Sequence, residues 1–275
     1  MEGWIALDID GTVTDARHSI PLAVRNYLQS LVEKKWNIVF LTGRTFSYSF
    51  SALKELDFPY FLAVQNGADI LKMPEKKILF QNYLQTSVLH KLEKIYEGRS
   101  EDYLIYAGVE KGDFCYYRPQ RFSLELLTYL EEIKTLSPEP WQALDSFTFS
   151  QEMRFPLIKC LGKEAEMHEV QEKLQKSKEI QVARIRDPMT QELFLNLITH
   201  QDVTKGKAIE LLSRKEGPII AAGDDQNDLS MFEVATVSIA METAPREVLD
   251  GADLIAKSAS QMGIIAALQQ ALLLV

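Results

Sequence analysis

The sequence predicts an α/β protein, a doubly wound parallel sheet interrupted by an inserted α+β segment. Three observations carry this. Short apolar runs alternate with amphipathic stretches near both ends of the chain, as in the βαβ units of a parallel sheet. The middle of the chain abandons that alternation for longer helices and hairpin-like runs. The apolar runs near the two ends exit into polar turns, two of them strongly acidic, on the edge where open α/β sheets collect ligands.

The elements follow in order. Residues 5–7 make a first strand, and a helix opens at Pro21, a residue suited to the first helical position, with Leu28, Leu31 and Val32 on its apolar face. NIVFL (37–41) is a second strand, followed by a helix around 45–56 and by YFLAV (60–64) after Pro59. Late in the chain PIIAA (218–222), TVSIA (236–240) and DLIA (253–256) recur with helices between them. The inserted segment carries helices over 86–97, 123–135 and 164–177. It also carries a hairpin of DYLIYAG (102–108), a turn at 110–113 and FCYYR (114–118). LIKCLG (157–162), IQVARIR (180–186) and ELFLNL (192–197) are further strands. The expected division is a core of 1–82 and 191–275 and an insert of 83–190.

Composition narrows the function. With 275 residues, 46% hydrophobic and 25% charged, the chain can bury a substantial core and is not disordered. A net charge of −9 argues against binding nucleic acid, which needs a basic surface. A phosphorylated small molecule stays possible if a cation offsets the repulsion. The two cysteines, Cys115 and Cys160, form no CxxC pair, which argues against a zinc site or disulfide framework and for a reducing compartment. The opening MEGWIALDID has no basic region or cleavable apolar stretch. The apolar residues 263–275 are interrupted by Gln269 and Gln270 and are too short to span a bilayer. A cytoplasmic protein is expected, with no membrane, nucleic-acid or obligate protein partner.

The strand exits carry the chemistry. After the first strand comes Asp8-Ile9-Asp10-Gly11-Thr12; after the second, Thr42-Gly43-Arg44; after the third, Gln65-Asn66-Gly67; after PIIAA, Gly223-Asp224-Asp225-Gln226-Asn227-Asp228. Acids converging on one edge call for a cation, and an all-oxygen ligand set suits magnesium. A helix–loop–helix calcium site fails, because Gly11 comes too early and the bidentate acid is missing. Each cluster alone also has an ordinary reading: Asp and Gly are common in turns, and acids favour a helix's first turn. Lys205 is less ordinary. In DVTKGKAIELL it sits in a first helical turn, against the dipole, beside a poor helix former, Gly206. Both departures make sense if that turn serves an anion; a solvated lysine is the alternative.

With these residues in view, the chain resembles the haloacid dehalogenase-like phosphohydrolases, and within them the Cof-like subgroup. The motifs run in order: LDIDGT (7–12), LTGR (41–44), NGA (66–68), TKGKA (204–208), AAGDDQND (221–228), IAMETA (239–244) and DGADLIA (250–256). Two positions depart from the subgroup: Thr243 stands where Asn is common, and Met262-Gly263 where an acid with Gly is usual.

The resemblance implies a Rossmann-like core with an inserted cap, and a magnesium-dependent phosphatase acting on a small phosphorylated metabolite, a sugar phosphate by class. It implies Asp8 as the nucleophile that forms an aspartyl-phosphate, and Asp10 as general acid and then base, its carboxyl raised by like charges and partial burial. Ile9 between them would face the core. The metal would be held by Asp8, the Asp10 carbonyl and Asp224, with Asp228 in support. Thr42, Gly43, Asn66, Asn227 and Lys205 would serve the phosphoryl group, Lys207 being the neighbouring alternative to Lys205. The insert would close as a lid, with hinges near Gln81–Tyr83 and Arg186–Pro188. Lys159, Arg154 and Arg118 are offered as cap side chains that reach substrate, or as solvated ones. A phosphomannomutase-type phosphotransferase and a catalytically silent binding protein are the rival functions.

Overall fold

The run GWIALD forms an interior strand, Gly3–Asp8, of an eight-stranded sheet in the computed structural model, which describes residues 3–14, 19–136, 139–187, 189–190 and 192–275. All six of its residues are buried, as expected of a parallel strand covered on both faces. Burying Ile5 and Leu7, at about 1.5–3 kcal/mol each, fixes the register and delivers Asp8 to the strand's C-terminal end. The chain divides into two units: Met1–Arg44, Ser49–Phe80 and Thr204–Val275 in the first, Thr45–Tyr48 and Gln81–Val203 in the second.

In the first unit the strands run Leu254–Ala256, Val237–Met241, Ile219–Gly223, Gly3–Asp8, Trp36–Leu41, Tyr60–Val64, Asp69–Met73 and Lys77–Gln81. The first six pair in parallel, as the strand–helix alternation predicts. Asp69–Met73 returns antiparallel to Tyr60–Val64 and Lys77–Gln81 extends the sheet beyond it, two strands absent from the sequence expectation. The chain leaves Gly3–Asp8 toward Trp36–Leu41 on one side and later fills the other with Ile219–Gly223. The strand order therefore reverses at Gly3–Asp8, opening a crevice beyond its carboxyl end. One face packs Val39, Leu41, Ala63 and Ala221 against Ala208 and Ile209 of the helix Lys205–Ser213 and against Met231 and Phe232. The helix Leu22–Glu33, preceded by Pro21, buries Val24, Leu28 and Leu31.

The second unit is a six-stranded sheet in the order Ile180–Arg186, Phe194–His200, Leu157–Gly162, Tyr103–Tyr106, Cys115–Tyr117 and Trp141–Ala143. Alternation along its strands fills two cores. Tyr103, Ile105, Ile158 and Ile198 pack with Leu92, Met167 and Val170 of the helices Ser87–Tyr96 and Glu164–Leu174. Leu104, Tyr106, Leu157, Leu195 and Leu197 pack with Leu126 and Leu130 of the helix Leu124–Leu136. The hairpin expected around 110–113 is present, with Ile105 opposite Tyr116.

Two boundary expectations need correction. The core segment is expected from residue 191, but Phe194–His200 is an interior strand of the second sheet, paired on both sides, and the first unit resumes at Thr204. A short apolar strand reads the same in either sheet, and only its hydrogen-bonded neighbours decide. The expected hinge at Arg186–Pro188 does not coincide with the boundary between the units. Arg186 lies within the second unit, paired with Phe194, while Pro188 and Gln191 lie outside the described residues.

Candidate active site

Three adjacent strands end side by side at the crevice. Asp8 pairs with Leu41, so Thr42 follows immediately beside it, and Leu7 pairs with Ala222, which brings Gly223-Asp224 to the other flank. Past Asp8 the chain turns at once: the Ile9 carbonyl accepts from the backbone N–H of Val13 and Thr14, both at 3.1 Å, and from the Thr14 hydroxyl at 2.9 Å. Ile9 is fully buried. Gly11 has φ +70°, and a Cβ there would overlap the Asp224 carboxylate. Glycine thus serves twice, by tolerating a left-handed turn and by leaving room for the second acid. Carboxylate oxygens of Asp8, Asp224 and Asp228 come within 4.8 Å of one another.

The lysine in that setting is Lys205. Thr204 caps its helix, accepting from the Lys207 N–H at 3.1 Å. Gly206 lets the first turn press against the Ser230 backbone, which a Cβ would strike. The Lys205 side chain is buried, with Nζ 2.5 Å from Asp8 Oδ1 and 2.5 Å from Asp228 Oδ1. Of the two lysines the motif offers, Lys205 is therefore the one that meets the acids.

Asp228 is more committed than the sequence suggested. Its Oδ2 accepts from the backbone N–H of Asp224 at 2.9 Å and of Asp225 at 3.0 Å, while Oδ1 accepts from Lys205. It ties the acidic loop to the lysine, and Gly223, where a Cβ would collide with the Asp228 carboxylate, makes room for it. Asp8 and Asp224 are the freer donors. Asp8 Oδ2 is buried with no hydrogen-bond partner among the described residues.

The electrostatics follow. Burial pushes the Asp8 carboxyl up to about 8; Lys205 opposes that, and Asp228 and Asp10 add to it. Burial also raises Asp224, reinforced by Asp8 and Asp228. Burial alone would lower Lys205, but its pairing with Asp228 and Asp8 outweighs that and raises it. With one ammonium for three carboxyl groups, burial makes Asp8 and Asp224 hold protons that a bound cation would displace. A hard cation taking oxygen ligands fits an orphaned Asp8 oxygen beside Asp224.

The second strand's exit adds donors. The Thr42 hydroxyl accepts the Arg44 N–H at 3.1 Å, which directs its own proton elsewhere. Backbone bonds lock Thr42-Gly43-Arg44 to the next loop: Gln65 N–H to the Arg44 carbonyl, 2.9 Å, and Asn66 N–H to the Thr42 carbonyl, 2.8 Å. Gln65 and Asn66 both hold left-handed backbone, φ 52° and 60°, a strain typical of functional loops. Asn227 donates to the Asn66 side-chain oxygen at 3.2 Å, which ties the third exit to the acidic loop. The Asp10 side chain stands outside the acid cluster, both oxygens gripped by the Arg44 guanidinium.

The sequence profile of the haloacid dehalogenase-like hydrolases matches residues 5–268. The chain belongs to this family. The Bacillus subtilis protein YxeH is 25% identical over 282 residues, 98% of each chain. Among solved structures, a haloacid dehalogenase-like hydrolase from Bacteroides thetaiotaomicron superimposes with a TM-score of 0.76 at 23% identity, over 98% of this chain and 100% of that one. The subclass IIB sugar phosphatase BT4131 gives 0.75 at 19%, over 97% and 98%. This haloacid dehalogenase-like hydrolase is an enzyme of the phosphatase type. No described helix is long and apolar enough to cross a membrane.

Among the insert's proposed substrate contacts, Arg118 is neither reaching nor solvated. It is buried in a fork with Asp102, two bonds of 2.7 Å, with Glu93 at 2.8 Å and the Phe147 ring at 4.2 Å. Arg154 donates to the carbonyls of Gln151 and Met153, and Lys159 lies 5.3 Å over the Tyr106 ring. Arg44, in sequence only the last residue of the polar Thr42-Gly43-Arg44 exit, holds the Asp10 carboxylate. Its signal was present: a cation leaving the strand beside the one that ends in Asp8-Ile9-Asp10.

Proposed function

We propose that this hydrolase is a magnesium-dependent phosphomonoesterase for a small phosphorylated metabolite, a sugar phosphate by class, working through an aspartyl-phosphate on Asp8. The observation that carries the reading is the buried Asp8–Lys205–Asp228 chain, with Asp224 alongside and one Asp8 oxygen left open. The substrate class draws support from the fold shared with the sugar phosphatase BT4131.

One Asp8 carboxylate oxygen attacks phosphorus while the other is left to the cation, and the bond to the leaving oxygen breaks with its electron pair. That oxygen takes a proton from Asp10 and departs as the alcohol. Water then attacks the same phosphorus, returns a proton to Asp10, and Asp8 leaves as carboxylate. Lys205 favours the charged form of Asp8 against the effect of burial, orients it and neutralises a phosphoryl oxygen. The Thr42 hydroxyl and the Gly43 backbone face the remaining oxygens, while Asn66 and Asn227 brace the loops that carry them. Asp8, Asp224 and the Asp10 carbonyl would hold the magnesium, with Asp228 fixing the loop behind it. Bound there, it would supply positive charge against the phosphoryl oxygens. The second unit acts as the cap that selects the substrate.

The test is phosphate release from a panel of sugar and other metabolite phosphates, with and without magnesium, by the wild type and by Asp8→Asn. The expected result is a chelator-sensitive rate that the substitution lowers by on the order of 10⁴-fold or more, with the melting temperature retained. A variant keeping substantial turnover would remove Asp8 as nucleophile. Phosphate appearing on a second sugar hydroxyl rather than in solution would make the enzyme a transferase.

A further inference from the structure

We propose that Arg44 is a positioning residue for proton transfer, fixing the Asp10 carboxylate in the orientation from which it serves the leaving group. This rests on the acid–base reading of Asp10 given above. The guanidinium donates from Nε to one Asp10 oxygen and from a terminal nitrogen to the other. The arginine is the buried partner, 7% exposed at its side chain against 28% for Asp10, so the anchor lies inside and the carboxylate faces outward.

That anchor is itself held. The Arg44 N–H goes to the Thr42 hydroxyl and its carbonyl to Gln65, in a loop whose next two residues adopt left-handed backbone. The Asp10 side chain, by contrast, leaves a tight turn just past a strand end, where the backbone alone does not choose its rotamer. Two parallel bonds from a planar fork do choose it, and a point charge cannot do so as well. A carboxylate oxygen has two lone pairs and the fork uses one on each, so proton exchange with the leaving oxygen or with water would use the other. Lys205 cannot take this part, since its ammonium is engaged by Asp8 and Asp228. The site thus uses two cations for two acids: a lysine for the nucleophile and an arginine for the proton carrier.

The experiment compares kcat/KM of the magnesium-loaded enzyme on two substrates that differ in leaving group. One is 4-nitrophenyl phosphate, whose leaving group needs little protonation; the other is a sugar 6-phosphate, whose alkoxide needs it fully. Arg44→Gln, Arg44→Lys, Asp10→Asn and the Asp10→Asn/Arg44→Gln double variant are measured, with melting temperatures alongside. Arg44→Gln is expected to slow the sugar phosphate by on the order of 10²-fold, the scale of general acid catalysis, and the aryl ester far less. Arg44→Lys should recover part of the loss, and the double variant should be no slower than Asp10→Asn alone. Equal losses on both substrates, or losses that multiply in the double variant, overturn the role given to Arg44. Should Asp10→Asn itself treat the two substrates alike, the reading of Asp10 falls, and this inference with it.

Discussion

Lys205 Nζ and Asp8 Oδ1 lie 2.5 Å apart although 197 positions separate the two residues. Both are buried, and the same ammonium is 2.5 Å from Asp228 Oδ1. A charge chain so far from water is stable only while every member keeps its partner.

Lys205→Met removes the cation and leaves two buried carboxylates facing each other. Breaking a buried pair from one side costs about 3–5 kcal/mol. The cation-free variant should lose stability on that scale in urea denaturation, and magnesium should restore part of it. An unchanged midpoint would show that the lysine is not the counter-charge of the site.

Gly11→Ala tests the contact between the first turn and the acidic loop. An added Cβ meets the Asp224 carboxylate, and φ +70° disfavours any side chain. The expected outcome is weaker magnesium binding by calorimetric titration, by about 10–100-fold, the range found when the groups supporting a metal ligand are disturbed. Wild-type affinity in a folded variant would separate Asp224 from the metal.

The acid cluster also sets a pH dependence. The Asp8 carboxyl rises from 3.8 to about 8 on folding, and Asp224 shifts the same way. The folded protein thus holds these protons more tightly than the unfolded chain. For Asp8 the contribution to stability is complete below pH 3.8 and is lost as pH climbs toward 8, and Asp224 acts in the same direction. Magnesium needs the ionised forms, so it should raise the melting temperature more at pH 8.5 than at pH 5.5. A gain independent of pH would mean that the cation sits elsewhere.

Arg118 gives a prediction of the opposite kind. Its fork with Asp102 is interior to the second unit and touches no proposed catalytic group. Arg118→Met strands the buried Asp102 and should lower stability by about 3–5 kcal/mol. Folded variant at low temperature should keep its KM for a sugar phosphate. A raised KM with intact stability would return Arg118 to substrate binding.

The parallel core and the acid-bearing strand exits were legible in the residues alone. These depend on periodicity and on residue type at a strand's end, both of which are local. Asp8, Asp224 and Lys205 were legible because a carboxylate or a first-turn lysine in such a place conflicts with its surroundings unless a partner exists. Tertiary structure alone decided the rest. Phe194–His200 joined the second sheet because its neighbours there pair on both sides, and no local signal distinguishes two sheets. Asp228 became a brace through bonds to two backbone amides and a lysine, Arg118 a core ion pair, and Arg44 the partner of Asp10. Charge type is written in the sequence, but a charge's partner is fixed by distance, which exists only once the chain has folded.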